Sequence, residues 1–263
     1  MMAAFMDLYT EADTFLHRMD PRVKITAVLL LSLLAFILST LSYLLILLAF
    51  IFLLLFLARA SLARTKFALK FVLRFMVLII LLWPIFDPSG SPVLASLGPI
   101  KITEPAIWRG VTSAARVGCL ATVWYILMFT TSQRDLVRAL VKMGLRFDFG
   151  LTLAISLRFL PTFGALIDSI KDAQRARGLE LSKGGLVKRS RNYVAILVPT
   201  IVSALRTADT LSLALQSRAY GARSDRTYLR DLKMRASDGV ALGMLIAAFV
   251  LPALAKYVFN IEV

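Results

Sequence analysis

Residues 25–57 carry no charge at all. A bilayer core about 30 Å thick takes about 20 mostly apolar residues in a helix, so this run is too long for one comfortable span. Ser39, Thr40 and Ser42 break it near the middle and predict a hairpin of two short helices. Asp20-Pro21 begins the first, with Asp as N-cap and Pro at the first helical position. A third span is expected over 71–86, closing at Trp83-Pro84, where an interfacial aromatic is at home. A fourth opens at Thr103-Glu104-Pro105 and runs to Thr131; Arg109 and Arg116, near its start, either snorkel or face protein. The last follows Ser237-Asp238 and runs to Phe259.

The stretch 132–236 reads differently, as helices with a polar side. Ser132-Gln133-Arg134-Asp135 resembles a capping box and predicts a helix to Met143. A second helix is expected from Gly150 to Arg177-Gly178, bent at Pro161. After the break at Lys183-Gly184-Gly185, a third is expected from Asn192 through Pro199 to Arg218, with Gly221 just beyond. The two long helices share a design. Each begins apolar, holds a proline in its first half, turns polar, and ends in an arginine followed by small residues. Complementing the helix dipole explains one such arginine; two in matching places point to a pair of docking plugs.

Charge fixes the expected orientation. The chain carries 31 Lys and Arg against 16 Asp and Glu, and 19 of those basic residues fall within 132–236. Arg59, Arg64, Lys66, Lys70 and Arg74 lie between the second and third spans, while the 87–105 loop holds only Lys101. With the amino terminus cytoplasmic and five spans, every basic segment lies on one side, as the positive-inside rule asks. A six- or seven-span arrangement, dipping the apolar parts of 150–167 and 193–215 into the bilayer, is the alternative. The first 20 residues are acidic and lack a signal-peptide pattern, so the first hydrophobic segment is expected to stay.

Several chemistries are excluded by what the chain lacks. One Cys (Cys119) and one His (His17) allow neither an internal disulfide nor a Cys/His zinc site. No carboxylate pair sits within the spans, and no G-x-x-x-x-G-K-[ST] phosphate loop is present, so no catalytic residue and no metal ligand is assigned. The basic residues flank spans without interleaved stacking aromatics, which argues for a lipid bilayer and against nucleic acid. A self-contained channel or secondary transporter would need ionisable groups at midplane, where Arg109 and Arg116 are the only candidates.

An ordered set of short motifs then resembles a known family. It comprises Leu16-His17-Arg18-Met19-Asp20-Pro21-Arg22-Val23-Lys24, Thr130-Thr131-Ser132 with Asp135-Leu136, and Leu157-Arg158-Phe159-Leu160-Pro161. It continues in Ala173-Gln174-Arg175-Ala176-Arg177-Gly178 and in Ala214-Leu215-Gln216-Ser217-Arg218-Ala219-Tyr220-Gly221, followed by Arg226-Thr227. Together they resemble the transmembrane T component of energy-coupling factor transporters, the vitamin- and metal-uptake branch of the ABC transporters. The family's two Ala-Arg-Gly motifs are matched fully at Ala176, Arg177 and Gly178; at Ser217, Arg218 and Ala219 only the arginine is common.

The resemblance implies a coupling scaffold in a prokaryotic inner membrane. Two ABC-type ATPase subunits would bind ATP and Mg, this chain would hold no cofactor, and a small substrate-binding membrane subunit would complete the assembly. Arg177 and Arg218 would dock on the ATPases, supported by Arg158, Pro161, Arg175 and Gly221. The expected fold is all-α and polytopic, with about five transmembrane helices and a cytoplasmic domain of long crossed coupling helices. The expected division is 1–131, 132–236 and 237–263.

Overall fold

Asp20 and Pro21 start the first long helix as their chemistry requires. The Asp20 carboxylate accepts a bond from the Arg22 amide at 2.9 Å, and Pro21 fills the first helical position, where an amide hydrogen has no partner to lose. The computed structural model describes residues 14–58, 62–87, 92–97, 100–179, 185–222 and 234–258. Its elements in order are α1 (Phe15–Arg18), α2 (Pro21–Ile37), α3 (Leu41–Leu57), α4 (Leu62–Phe86), β1 (Val93–Leu97), β2 (Ile100–Thr103), α5 (Glu104–Thr130), α6 (Gln133–Lys142), α7 (Phe147–Ala176), α8 (Leu186–Ser217) and α9 (Ala236–Val258).

The protein is an all-α polytopic membrane protein; among the described residues one antiparallel hairpin, β1–β2, is the exception. In that hairpin Leu97 faces Ile100, and the register slips by a residue between Val93 and Ala95. The hairpin occupies the stretch read from sequence as a loop. Three helices also begin earlier than expected: α4 at Leu62 rather than 71, α7 at Phe147 rather than 150, and α8 at Leu186 rather than 192. Among the described residues four helical stretches are long and apolar enough to cross a membrane: Leu69–Phe86, Glu104–Thr130, Phe147–Ala176 and Ser190–Ser217. Leu41–Leu57 and Ala236–Val250 are shorter apolar helices.

The chain divides into two compact units, residues 146–231 and the remainder. In the larger unit the core lies among α2, α3 and α5, where Val28, Leu31, Leu34, Leu44, Leu47, Ile51, Val123 and Leu127 pack together. Cys119 is buried in the same core, its thiol 3.6 Å from the Leu44 carbonyl. α4 lies along α5 and comes close at two glycines. A Cβ on Gly110 would stand 3.1 Å from Trp83 Cβ, and one on Gly118 would stand 2.9 Å from Met76 Sδ.

Polar side chains close the helix ends of this unit. A helix leaves its last carbonyls without intrahelical partners. Arg116, near the middle of α5, answers that need for α2: its Nε donates to Ala35 O at 2.9 Å and Nη2 to Leu38 O at 3.0 Å. It faces protein, not lipid. Lys24 does the same for α5, donating to Thr130 O at 2.9 Å and to His17 O at 3.2 Å. Arg109 pairs with Asp87 at 3.2 Å. Ser132 caps α6, accepting from the Asp135 amide while its hydroxyl donates to the Asp135 carboxylate at 2.6 Å.

Candidate functional site: two arginine-ended helices

The smaller unit consists of α7 and α8. The start of α7 meets the end of α8: the Tyr220 hydroxyl donates to Asp148 Oδ1 at 2.8 Å, and the Tyr220 and Phe147 rings lie 6.4 Å apart. At the other end Gln174 Nε2, near the end of α7, donates to the Ala195 carbonyl near the start of α8, at 3.3 Å. The helices therefore run antiparallel. The second contact has a cause in the sequence. Pro199 lacks an amide hydrogen, which leaves the carbonyl four residues back, that of Ala195, without its helical donor. Gln174 supplies one.

The two helix ends are built alike. At the end of α7, Leu179 N donates to Gln174 O at 3.0 Å and Gly178 N to Arg175 O at 2.9 Å, with Gly178 at φ +86°. At the end of α8, Tyr220 N donates to Leu215 O at 3.0 Å and Ala219 N to Gln216 O at 2.9 Å, with Ala219 at φ +56°. Both are the crossed pair of bonds that closes a helix with a left-handed residue. Arg177 and Arg218 hold the same position in that motif, the last before the left-handed residue. The alanine at 219 has not changed the geometry that glycine provides at 178.

The remaining predicted residues fall into place around this. Ala176 and Ser217 are the last residues of their helices, and Gly221 (φ +93°) follows the second motif. Arg177, Gly178, Arg218, Ala219 and Gly221 are all exposed. Arg175 is held to Asp172 at 3.2 Å, whereas no carboxylate among the described residues lies within ion-pair distance of Arg177 or Arg218. Arg158 and Pro161 are exposed in the middle of α7, the former roughly 28 Å from Arg177 at 1.5 Å per residue. The structure does not bring the two motifs together. It sets them at opposite ends of the pair, roughly 40 Å apart along α7. Gln174, Asp148 and Tyr220 were not assigned a tie between the helices from sequence; the proline at 199 signals the first of these contacts, and nothing local signals the second.

Among the described residues no group of His, Cys, Asp or Glu could hold a metal ion. A family profile described as a cobalt transport protein, CbiQ, matches residues 12–229. The chain belongs to that family. Energy-coupling factor transporter transmembrane protein EcfT of Brevibacillus brevis is 33% identical over 240 residues, covering 88% of this chain and 90% of the relative. The protein of the same name in Thermanaerovibrio acidaminovorans is 33% identical over 245 residues, 90% of each chain. That of Acidaminococcus fermentans is 32% identical over 257 residues, 95% of each. This CbiQ-family chain is thus a T component of an energy-coupling factor transporter, and the profile spans both arginine-ended helices.

Proposed function

We propose that the chain couples two ABC-type ATPase subunits to a small substrate-binding membrane subunit that takes up a vitamin or a metal ion. The observation that carries this reading is the repeated helix end: the same backbone motif, with the same exposed arginine, at both ends of one antiparallel pair. An ATPase dimer offers two equivalent grooves, and a guanidinium fixed on a helix end forms bidentate bonds to carboxylates. ATP and Mg belong to those partners, and this chain is non-catalytic and holds no cofactor of its own. The exposed apolar side chains of Phe149, Leu153 and Leu160 on α7 and of Leu197, Ile201 and Leu205 on α8 offer the surface for the substrate-binding subunit. A channel or secondary transporter has less support, because Arg109 and Arg116, the charges it would use, are engaged with Asp87 and with the end of α2.

The test is a pull-down of the ATPase subunits together with substrate uptake. Removing one member of a buried charge pair weakens binding by about 2–5 kcal/mol, roughly 30-fold to several-thousand-fold in affinity. Arg177→Glu with Arg218→Glu abolishes co-purification of the ATPases while the chain still inserts and folds. Each single change impairs uptake more than assembly, because the other plug stays engaged. Normal recovery and normal uptake in the double variant leave only the helix-dipole role for these arginines.

In this reading α2, α3, α4, α5 and α9 cross the inner membrane with the amino terminus cytoplasmic, and α7 and α8 lie at the cytoplasmic face. Exposed Arg158 on α7, and Arg206 and Asp209 on α8, are charges that a span would have to carry through lipid. The length and apolar composition of α7 and α8 favour a second reading in which they cross as well. Single accessible cysteines decide between them: position 91 labels from outside, and position 184 labels only after permeabilisation. External labelling at 184 removes the five-span arrangement.

A further inference from the structure

α4 carries a stripe of cations that the coupling role does not use. Lys66, Lys70 and Arg74 are spaced four residues apart, so they share one side of the helix. All three are exposed, and among the described residues no carboxylate pairs with them. Large apolar side chains flank them on the same open surface: Phe71, Leu73, Phe75 and Leu78 are between 46% and 58% exposed.

The depth of the stripe follows from the contacts of α4 with α5. Gly110 opposite Trp83 and Gly118 opposite Met76 fix an antiparallel register. Counting along it, Arg74 stands level with Leu120, Lys70 with Trp124 and Lys66 with Met128. Thr130, which accepts the bond from Lys24, is the last residue of α5. At 1.5 Å per residue Arg74 is then roughly 15 Å inward from that end. The Leu44 carbonyl touches Cys119 at the same depth as Arg74, so the first turn of α3 lies against α5 at that level. From there α3 exposes only uncharged side chains, among them Ile46, Phe50, Leu53 and Phe56. The cations therefore climb into a zone that is apolar on the neighbouring helix, where an exposed charge is costly without an anion.

We propose that Lys66, Lys70 and Arg74 form a binding ladder for the phosphate headgroup of an anionic phospholipid. The headgroup enters at Lys66 and Lys70, Arg74 draws the phosphate inward, and the acyl chains run along Phe71, Leu73, Phe75 and Leu78. A lipid suits the site better than an acidic protein side chain because it supplies the anion and the apolar cover in one molecule. Basic clusters at the membrane surface select anionic lipids in this way.

The experiment uses the full chain in nanodiscs of equal parts phosphatidylglycerol and phosphatidylethanolamine, with retained lipids counted by native mass spectrometry. The native chain is expected to retain phosphatidylglycerol preferentially. Lys66→Gln, Lys70→Gln and Arg74→Gln together lower that preference by about fivefold for each cation removed. Arg191→Gln, an exposed cation on α8, leaves it unchanged. Should the triple variant fail to accumulate, Lys70→Gln alone still loses about fivefold, while the charge-keeping Lys70→Arg does not. Equal retention of both lipids by the native chain overturns the proposal, as does an unchanged preference in the variants. If the variants keep their lipid and instead lose a co-purifying membrane subunit, the stripe is a protein contact and the lipid assignment falls.

Discussion

α5 buries twelve residues along its length, from Ala106 to Thr130. α7 is three residues longer and buries only Gly150; α8 is longer again, and of its described side chains only Ile196 is buried. All three helices are apolar enough to be spans, so composition does not separate them. What separates them is the use of small residues and of charge. α5 places Gly110 and Gly118 where α4 must approach, and small residues at helix contacts are what close packing in a membrane requires. Its cation Arg116 is turned inward onto the carbonyls of α2. In the α7–α8 pair the two hydrogen bonds between the helices lie toward the ends, and the arginines that close the helices are exposed. Arg116 on α5 serves carbonyls of its own unit, whereas Arg177 and Arg218 at the ends of α7 and α8 stay exposed.

The largest effect expected from breaking this contrast is at Lys24. Lys24→Met keeps the length of the side chain and removes its charge, leaving the Thr130 and His17 carbonyls without their donor. Each acceptor left unsatisfied costs about 1–3 kcal/mol, so the larger unit loses about 2–6 kcal/mol, read as a lower unfolding midpoint of the purified chain. An unchanged midpoint means that water already serves those carbonyls. Gly110→Leu comes next. Trp83 Cβ, close to the backbone of α4, stands where the new side chain must go, and overpacking of this kind costs about 1–3 kcal/mol. Gly118→Ala is milder, because the flexible end of Met76 can move aside. If Gly110→Leu is as stable as the native chain, α4 does not lean on α5 as closely as the glycines indicate. Both substitutions leave hydrogen exchange in α7 and α8 unchanged.

The signals that the sequence carried plainly were the local ones. Asp20-Pro21 and Ser132 mark helix starts because a cap is chosen by residues within one turn of it. Arg177-Gly178 marks an end for the same reason. The early start of α4 escaped because Arg64, Lys66 and Lys70 read as a basic loop, although lysine and arginine are good helix formers. The hairpin at 93–103 is hidden because two short apolar runs around Gly98-Pro99 read equally well as an external loop. The functions of Lys24 and Arg116 lay further out of reach. Each serves a carbonyl 78 to 106 residues away, and only the packed structure shows which helix end it closes. In the α7–α8 pair, the tie from Gln174 follows from Pro199 by counting back four residues.

The smallest expected effect sharpens the comparison between the two arginine-ended helices themselves. Gly178 and Ala219 occupy the same left-handed position, at φ +86° and +56°. An L-residue with a Cβ meets the following carbonyl there, at a cost of roughly 1–2 kcal/mol, which glycine escapes. Glycine gives back part of that advantage, about 0.4–1 kcal/mol, through the greater freedom of its unfolded chain. Ala219→Gly should therefore tighten the end of α8 by about 0.5–1 kcal/mol, and Gly178→Ala should loosen the end of α7 by a similar amount. Nothing stands within 4 Å of a Cβ built at Gly178, so only the backbone conformation is tested there. The amides to watch are Tyr220 N and Leu179 N, each bonded across its motif at 3.0 Å. With 1.4 kcal/mol equal to a factor of ten, Tyr220 N should exchange about two- to fivefold more slowly in Ala219→Gly, and Leu179 N faster by a like factor in Gly178→Ala. Opposite shifts of similar size show that the two ends obey one geometry and that Ser217-Arg218-Ala219 presents its arginine as Ala176-Arg177-Gly178 does. Slower exchange in neither variant, or a loosening of α8 by Ala219→Gly, shows that position 219 is not held left-handed in solution, and the likeness of the two helix ends then reduces to the arginine alone.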